Sequence, residues 1–237
     1  MDKYYEYGEK IESKYTIIKE IAEGRYGIVY LAEDCNNEKV VIKQLKKDMI
    51  KETRKKLIYE QKILQSLDNS GFPSFIGKFK DRYRQGYVLE YIDGKDFEDL
   101  VENELQVFTK EKIYNFAEKI LDLIEILHQN NIAHQDIRLP NVILKKNGDL
   151  ALIDFGLARF INDKKYIQKI DYWYLGDFLI HLYYTMYKST EDEDRAWYDE
   201  LDLTQDEQIF LKKLMGIEKK YNNIYEIREQ LQKLKQK

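Results

Sequence analysis

Three side chains with acceptor oxygens lie close together near the middle of the sequence. Asp136 and Asn141 are five residues apart, and Asp154 follows in the tripeptide Asp154-Phe155-Gly156. The turn predicted at 146–149 would fold the two segments side by side. Carboxylate and amide oxygens are the ligands that Mg²⁺ prefers, above all when it carries nucleotide phosphates. Structural turn residues would give the same residue types, but the combination and its spacing favour a site for magnesium and a nucleotide.

A lysine and a glutamate upstream would serve the same chemistry. Lys43 ends the apolar run Val40-Val41-Ile42, and a lysine beside a buried strand is unfavourable unless it contacts an anion. Glu60 falls within the apolar stripe of a helix predicted over 52–67. A surface lysine and a helix-edge glutamate would fit the same pattern. Their joint position after a glycine-containing turn favours an ion pair that positions a phosphate chain.

That turn is Gly24-Arg25-Tyr26-Gly27, between two strand-like runs. Glycine lets backbone N–H groups approach a phosphate chain closely. Paired glycines in a hairpin often only make the turn, so this segment alone is weak evidence for phosphate binding.

The elements that must position these residues are strands in the first third of the chain and mainly helices after it. Short β-branched runs predict strands at 17–21, 28–31, 40–42, 87–89, 142–144 and 151–153. Apolar residues at helical spacing predict helices at 113–127 and 224–234. The fold class is therefore α+β, with a β-rich N-terminal lobe and an α-helical C-terminal lobe. The lobes would meet near 90–94, and such junctions often hold ligand clefts.

Composition narrows the function classes. Of the 237 residues, 39 are Lys or Arg and 43 are Asp or Glu, so the near-balanced charge gives no reason to expect a nucleic-acid partner. The single cysteine, Cys35, cannot form an intramolecular disulfide. The longest apolar run, 178–187, is too short to cross a bilayer, and the first residues lack a signal-peptide pattern. We therefore expect a cytoplasmic protein without membrane insertion.

Together these residues resemble the motifs of the protein kinase superfamily, over about Tyr15 to Leu234. The resemblance implies a two-lobed protein-kinase fold at 15–237, with an N-lobe at about 15–91, a C-lobe at about 95–237 and an N-terminal extension at 1–14. It implies ATP and Mg²⁺ as cofactors. The γ-phosphate would pass to a hydroxyl, with a protein Ser or Thr favoured and a Tyr or small-molecule acceptor left open.

The resemblance also implies a role for each residue. Asp136 would orient or deprotonate the acceptor hydroxyl, and Arg138 would contact the γ-phosphate. Lys43 would contact the α- and β-phosphates and pair with Glu60. The metal ligands would be Asn141 and Asp154. The other nucleotide contacts would be Ala22, Gly24, Gly27, Val29, Val41, Leu89, Glu90, Ile92 and Ile143, with Leu89 as gatekeeper and 90–92 as the hinge at the adenine.

Two further expectations come from the resemblance. Asp171 would stand at the start of the central C-lobe helix and hold the catalytic loop, residues 134–141. A stack of apolar and aromatic side chains would mark the active form. Its members would be Leu64, Phe75, His134 and Phe155.

Three positions depart from the family's pattern. Gln135 stands where kinases controlled through the activation loop carry an arginine that receives a phosphate. Arg138 replaces a lysine, and its guanidinium can still contact a phosphate. From Asp154 to Asp171 the chain advances only 17 residues. That interval contains no Ala-Pro-Glu motif, and the arginine expected near 216–221 is also missing.

These departures predict how the protein is controlled. Phosphorylation of 157–170 should not be the on-switch, and the unmodified protein should have Glu60 facing Lys43 and Phe155 packed inward. The platform for a peptide acceptor would be reduced. The intact set of motif residues favours an active enzyme. The alternatives are a pseudokinase that acts as a nucleotide-binding regulatory or interaction module, and a small-molecule kinase.

Overall fold

The computed structural model describes residues 2–24, 27–47, 59–161, 164–188 and 195–236, with only the backbone at 164–167. The chain divides into two compact units, Met1–Asp93 and Gly94–Lys237. The first consists mainly of strands and the second mainly of helices. This division agrees with the α+β class predicted from the sequence.

The first unit contains an antiparallel six-stranded sheet with the order β1-β2-β3-β4-β6-β5. Its strands are β1 Lys10–Ile11, β2 Tyr15–Glu23, β3 Gly27–Glu33, β4 Lys39–Leu45, β5 Phe75–Lys80 and β6 Gln85–Glu90. A helix, α1, occupies 59–66 between β4 and β5. The remainder of the helix predicted over 52–67 lies outside the described residues, apart from position 67, which is not helical.

One face of this sheet is a closed apolar core. Alternate residues of β3 and β4, among them Ile28, Tyr30 and Ile42, are fully buried because successive strand residues point to opposite faces. Tyr5 and Ile11 pack into the same cluster and are only 6% and 2% exposed. The segment that the sequence placed before the domain therefore contributes to the core of the first unit.

Arg84, a buried residue, links the N-terminal segment to the sheet by hydrogen bonds. The Arg84 guanidinium donates hydrogen bonds to the Tyr4 carbonyl, to Asp81 and to Glu9. It also lies 3.4 Å from the centre of the Tyr5 ring. Two carboxylates and a ring face surround the charge, so its burial is compensated.

The second unit is built mainly from long helices. Its helices are α2 Lys110–Gln129, α3 Lys164–Tyr184, α4 Trp197–Glu200, α5 Gln205–Met215 and α6 Ile224–Lys235. Its strands are β7 Gly94–Asp96, β8 Ile132–Ala133, β9 Val142–Lys145, β10 Leu150–Leu152 and β11 Arg159–Phe160, in sheets of order β10-β9-β7 and β11-β8. A π-helical turn lies at Asp99–Asn103, and 3₁₀-helical turns lie at Leu139–Asn141 and Phe155–Leu157.

Helix α3 begins earlier than the sequence suggested. The expected start at Asp171 is wrong, because the helix begins at Lys164. The residues 164–170 contain neither glycine nor proline, so nothing in them interrupts the helical backbone. As a result, only a short connection remains between Asp154 and α3.

Helices α3 and α5 pack closely at Gly176. A Cβ at this position would lie 2.9 Å from both Leu214 Cβ and Met215 Sδ. Glycine is therefore needed for this close approach. Within the described parts of the chain, no helix has the length and apolar character needed to span a membrane.

Candidate active site

The face of the first sheet that lies opposite its closed core carries predicted nucleotide-binding side chains. The strand register pairs Ala22 with Val29, Val29 with Lys43, and Lys43 with Tyr87. Residues directly opposite each other in a ladder share a face. Val41 pairs with Leu89 by the same register. The sheet thus collects residues from four strands on the face opposite the closed core.

Lys43 and Glu60 form the predicted ion pair. Lys43 Nζ lies 3.0 Å from Glu60 Oε1, and the Glu60 side chain is only 5% exposed. The second carboxylate oxygen, Oε2, accepts a 2.5 Å hydrogen bond from the Tyr87 hydroxyl. Because both oxygens have charged or polar donors, the buried carboxylate is compensated.

The glycine-containing turn is described only at its two ends. Gly24 N–H donates to the Gly27 carbonyl at 2.9 Å, whereas Arg25 and Tyr26 lie outside the described residues. A Cβ at Gly27 would lie 2.6 Å from the Gln44 carbonyl oxygen, but one at Gly24 would meet none of the described atoms within 4 Å. Packing therefore requires glycine at position 27, whereas no described residue requires it at position 24.

The predicted hinge follows strand β6. Leu89 is buried at 3% exposure. The Glu90 N–H donates to the Ser74 carbonyl at 3.0 Å, and the Glu90 carboxylate accepts from the Ser74 hydroxyl at 2.8 Å. The Glu90 N–H is thus already bonded to the backbone just before β5. Ile92 follows as a half-buried residue near the end of the first unit.

In the second unit, Asp136 is held by two neighbours. Arg138 donates to its two carboxylate oxygens at 2.6 and 3.1 Å. Asn141 Nδ2 donates to Asp136 Oδ2 at 2.8 Å and to the Asp136 carbonyl at 3.0 Å. The Asp136 carboxylate raises the pKa of Arg138 further above its usual value through these hydrogen bonds. The structure therefore joins these three predicted site residues in one cluster.

Asp154 stands at a sharp turn beyond strand β10. Its backbone is left-handed, with φ of 62°, and its carboxylate accepts from Gly156 N–H at 3.3 Å. Phe155, the next residue, is fully buried and packs edge-on against His134, with ring centres 4.7 Å apart. The turn therefore leaves Asp154 exposed while Phe155 anchors the segment.

His134 also supports the loop through a neutral ring. Burial lowers its pKa, with partial opposition from Asp171 and two other carboxylates. Its Nε2 lies 3.2 Å from the Ile153 carbonyl, so this nitrogen carries the proton and donates. The ring thereby ties the catalytic loop to the strand end before Asp154.

Asp171 fixes the catalytic loop from helix α3. Its carboxylate accepts from the backbone N–H groups of His134 and Gln135, at 3.2 and 2.8 Å. His128 Nε2 lies 2.9 Å from the same carboxylate. Gln135 has a left-handed backbone with φ of 63°, and these contacts hold that unfavourable conformation. The role expected for Asp171 agrees with this geometry, although the residue lies within the helix.

The oxygen donors of this site suit a metal ion that is bound partly by protein side chains and partly by substrate groups. Among the described residues, no group of three or more His, Cys, Asp or Glu side chains could enclose a metal. Asn141 and Asp154 nevertheless offer amide and carboxylate oxygens. A small hard cation such as Mg²⁺ is commonly bound by one or two carboxylates together with substrate phosphates.

The predicted stack has two members in each unit. In the second unit, His134 and Phe155 pack together. In the first unit, Leu64 is buried at 2% exposure, and Phe75 stacks on Tyr87 with ring centres 6.0 Å apart. Ile143, on strand β9, is 8% exposed.

Sequence reasoning missed two residues that position the site. Tyr87 was noticed only as part of a strand, and its contact with Glu60 depends on a register that the sequence does not state. His128 ends a helix stripe, and its contact with Asp171 links positions 43 residues apart. A polar residue at the end of an apolar stripe is the one sequence signal that points to His128.

Comparison with known proteins places this site in a family context. The family model for the protein kinase domain matches residues 15–192. The probable serine/threonine-protein kinase YbdM of Bacillus subtilis is 34% identical over 232 residues, covering 94% of this chain and 90% of that protein. Human serine/threonine-protein kinase Nek5 is 30% identical over 198 residues, and human NUAK family SNF1-like kinase 2 is 26% identical over 168. The matches cover 28% and 27% of those two proteins, respectively.

Proposed function

Because this chain belongs to the protein kinase family, we propose that it transfers the γ-phosphate of ATP to serine or threonine hydroxyls of proteins. The observation that carries this proposal is the cluster in which Arg138 and Asn141 hold the Asp136 carboxylate. A carboxylate fixed by such donors is oriented for one task, the contact with an incoming hydroxyl.

Asp136 serves the acceptor. The acceptor oxygen attacks the γ-phosphorus, the bond from that phosphorus to the β–γ bridging oxygen breaks, and ADP leaves. The acceptor proton passes to the Asp136 carboxylate and from there to solvent. Arg138 lies within 3.1 Å of Asp136, and its side chain is 53% exposed. It can therefore turn from the carboxylate to the γ-phosphate when a nucleotide is bound.

The first unit supplies the nucleotide contacts. Lys43, held by Glu60, contacts the α- and β-phosphates. Val29 and Val41 on the sheet face pack against the adenine, and the Glu90 carbonyl accepts from its amino group. Ala22, Gly24 and Gly27 flank the phosphates, Leu89 and Ile92 border the adenine, and Ile143 of the second unit completes its apolar contacts.

The metal ligands are Asn141 and Asp154, and Mg²⁺ is the ion that their oxygen atoms suit. When bound, the ion neutralises part of the phosphate charge. The turn at Asp154 keeps its carboxylate exposed, and the Asn141 Nδ2 bonds to Asp136 direct the amide oxygen of Asn141 elsewhere.

Catalysis does not depend on phosphorylation of 157–170, a segment whose one hydroxyl-bearing residue is Tyr166. Gln135 cannot receive a phosphate as an arginine would, and the helix already begins at Lys164. Glu60 contacts Lys43 and Phe155 is buried without any modification. Control by expression, localisation or a partner protein fits this arrangement.

A phosphotransfer assay tests the proposal. The purified chain is incubated with labelled ATP and Mg²⁺, and transfer is scored on a general protein acceptor, on the chain itself and on retained small molecules. Asp136→Asn should reduce transfer by about 10²- to 10⁴-fold while nucleotide binding persists. Asp154→Asn should remove the metal-dependent signal.

Asp149→Asn is the matched control. Asp149 lies in the nearby turn, its side chain is 62% exposed, and it pairs with Lys119, so its loss should leave transfer unchanged. Nucleotide binding with no transfer to any acceptor would identify a pseudokinase. Transfer to small molecules alone would overturn the protein acceptor. Undiminished turnover by the Asp136 variant would exclude its catalytic role.

A further inference from the structure

The N-terminal segment reaches the glycine-containing turn through Tyr4. Glu23 is the last residue of β2 and directly precedes Gly24, where the turn begins. The Glu23 carboxylate accepts a hydrogen bond from the Tyr4 hydroxyl at 3.0 Å and lies 2.5 Å from Lys46 Nζ. Lys46 directly follows the last residue of β4. Glu23 is therefore held by one residue of the N-terminal segment and by one residue just beyond β4.

These three side chains form a charged cluster. Hydrogen bonds from Lys46 first, and then from Tyr4, lower the pKa of Glu23. The Glu23 carboxylate in turn raises the pKa of Tyr4 and the pKa of Lys46 through the same bonds. Near neutral pH the carboxylate is thus ionised while both donors keep their protons. Hydrogen bonds to an ionised acceptor are stronger than those between neutral groups, so the Tyr4 hydroxyl makes a specific contact although the residue is 43% exposed.

Two neighbouring residues of the segment contact the other end of the turn. The Lys3 carbonyl accepts from Gln44 Nε2 at 2.9 Å, and the Asp2 carboxylate accepts from the Lys47 N–H at 2.8 Å. Gln44 is 1% exposed, and its carbonyl oxygen is the atom that a Cβ at Gly27 would approach most closely. The segment therefore contacts β4 where this strand packs against Gly27, as well as the end of β2.

Tyr4 is itself fixed through its backbone. Its carbonyl accepts a hydrogen bond from Arg84 at 3.0 Å. The next residue, Tyr5, is 6% exposed, and its N–H donates to the Tyr30 hydroxyl at 3.2 Å. These bonds do not involve the Tyr4 side chain. Removing the Tyr4 hydroxyl should therefore leave the segment attached to the sheet.

We propose that Tyr4 is a positioning residue for the phosphate groups of the bound nucleotide, acting through Glu23 on the glycine-containing turn. The bond from Gly24 N–H to the Gly27 carbonyl closes this turn, and the cluster of Tyr4, Glu23 and Lys46 holds the strand end that leads into it. A turn whose ends are already held loses less conformational freedom when a ligand binds, so it binds the ligand more tightly. This inference rests on the proposed function, in which Gly24 and Gly27 flank the phosphates.

Nucleotide binding without an acceptor tests the inference separately from phosphotransfer. Dissociation constants are measured by isothermal titration calorimetry for ATP with Mg²⁺ and for adenosine, which has no phosphate to contact the turn. For Tyr4→Phe the dissociation constant of ATP should rise by about three- to tenfold, within the range that the loss of one hydrogen bond gives. The dissociation constant of adenosine should stay the same.

Further substitutions locate the effect at Glu23. Glu23→Ala should weaken ATP binding at least as much as Tyr4→Phe, and the double variant should bind ATP no more weakly than Glu23→Ala, because the hydroxyl then has no acceptor to lose. Lys46→Met should also weaken ATP binding, whereas Lys46→Arg retains the charge and should not. Tyr7→Phe is the matched control, because it removes a hydroxyl from the same segment at a residue that is 85% exposed. Its dissociation constant for ATP should equal that of the unaltered chain.

Three results would overturn the inference and leave the kinase function intact. They are unchanged ATP binding by Tyr4→Phe, an equal loss of affinity for ATP and for adenosine, which would indicate a general structural effect, and a full additional loss from Tyr4→Phe in the Glu23→Ala background. ATP binding that depends on Tyr4, without phosphotransfer to any acceptor, would support the inference and contradict the kinase function. A lack of ATP binding by the unaltered chain would overturn both.

Discussion

Replacing Tyr87 with phenylalanine removes one hydroxyl from the Lys43–Glu60 pair and leaves the ring in place. In the structure this hydroxyl donates to Glu60 Oε2 at 2.5 Å, and the Glu60 side chain is 5% exposed. A hydrogen bond to a charged group contributes about 1.5–3 kcal/mol. The variant leaves a buried carboxylate oxygen without that donor, so both folding and the position of Glu60 should suffer.

Two measurements quantify the loss. The free energy of unfolding in urea should fall by about 1.5–3 kcal/mol, which corresponds to a melting temperature roughly 3–12 °C lower. The kcat/KM for phosphotransfer should fall by about tenfold or more, because each 1.4 kcal/mol of barrier is a factor of ten. A double-mutant cycle with Glu60→Gln should give a coupling energy of at least about 1 kcal/mol.

Tyr83→Phe is the control in the same unit. Tyr83 is 43% exposed, and its loss of a hydroxyl should change the free energy of unfolding by less than about 0.5 kcal/mol. If Tyr87→Phe likewise left both stability and kcat/KM unchanged, Tyr87 would not hold Glu60. The explanation given for the inward position of Glu60 would then be wrong.

Three other predictions concern packing, pH and control. Gly176→Ala should lower the free energy of unfolding in urea by about 1–3 kcal/mol through overpacking against Leu214. Gly77→Ala should not, because a Cβ there would meet no atom of the described residues within 4 Å. Burial lowers the pKa of His134. The contribution of His134 to the free energy of unfolding should therefore be complete above about pH 6.5 and should be lost as the pH falls further, by at most about 1.4 kcal/mol per pH unit. In urea unfolding measured across this pH range, His134→Leu should flatten the dependence of the free energy of unfolding on pH. Phosphatase treatment and Tyr166→Phe should each change phosphotransfer by less than tenfold, and a larger loss in both would identify a phospho-switch at 157–170.

The sequence predicted the parts of the site whose residues are close along the chain. Asp136 and Asn141 are five positions apart, and the structure joins them by a 2.8 Å hydrogen bond. The Lys43–Glu60 pair was also predictable, because each charge interrupted an apolar pattern and needed a partner. In both cases a local pattern restricts the side chain to one side of its element.

Contacts set by strand register or by helix packing were not predictable. Lys43 and Tyr87 face each other because β4 and β6 align at one register out of several that the sequence allows. The start of α3 was misplaced because the segment before Asp171 was compared with a family pattern in which it is a loop, although its composition permits a helix. Tyr5 and Ile11 were missed because a segment this short shows no periodicity.

The hydrogen bonds that hold the 2–11 segment against Asp81 and Arg84 have a consequence for the order of folding. Tyr5 O–H donates to Asp81 across 76 residues, and Arg84 donates to the Tyr4 carbonyl across 80. Contacts between residues this far apart are slow to form, because the chain loses loop entropy before they are gained. A ribosome adds about 5–20 residues per second, so the segment waits on the order of 4–16 s for its partners to be made. Until then the Tyr4 carbonyl and the Tyr5 hydroxyl lack the partners that bind them in the folded unit, so a nascent chain that stalls before Asp81 cannot complete the attachment of this segment.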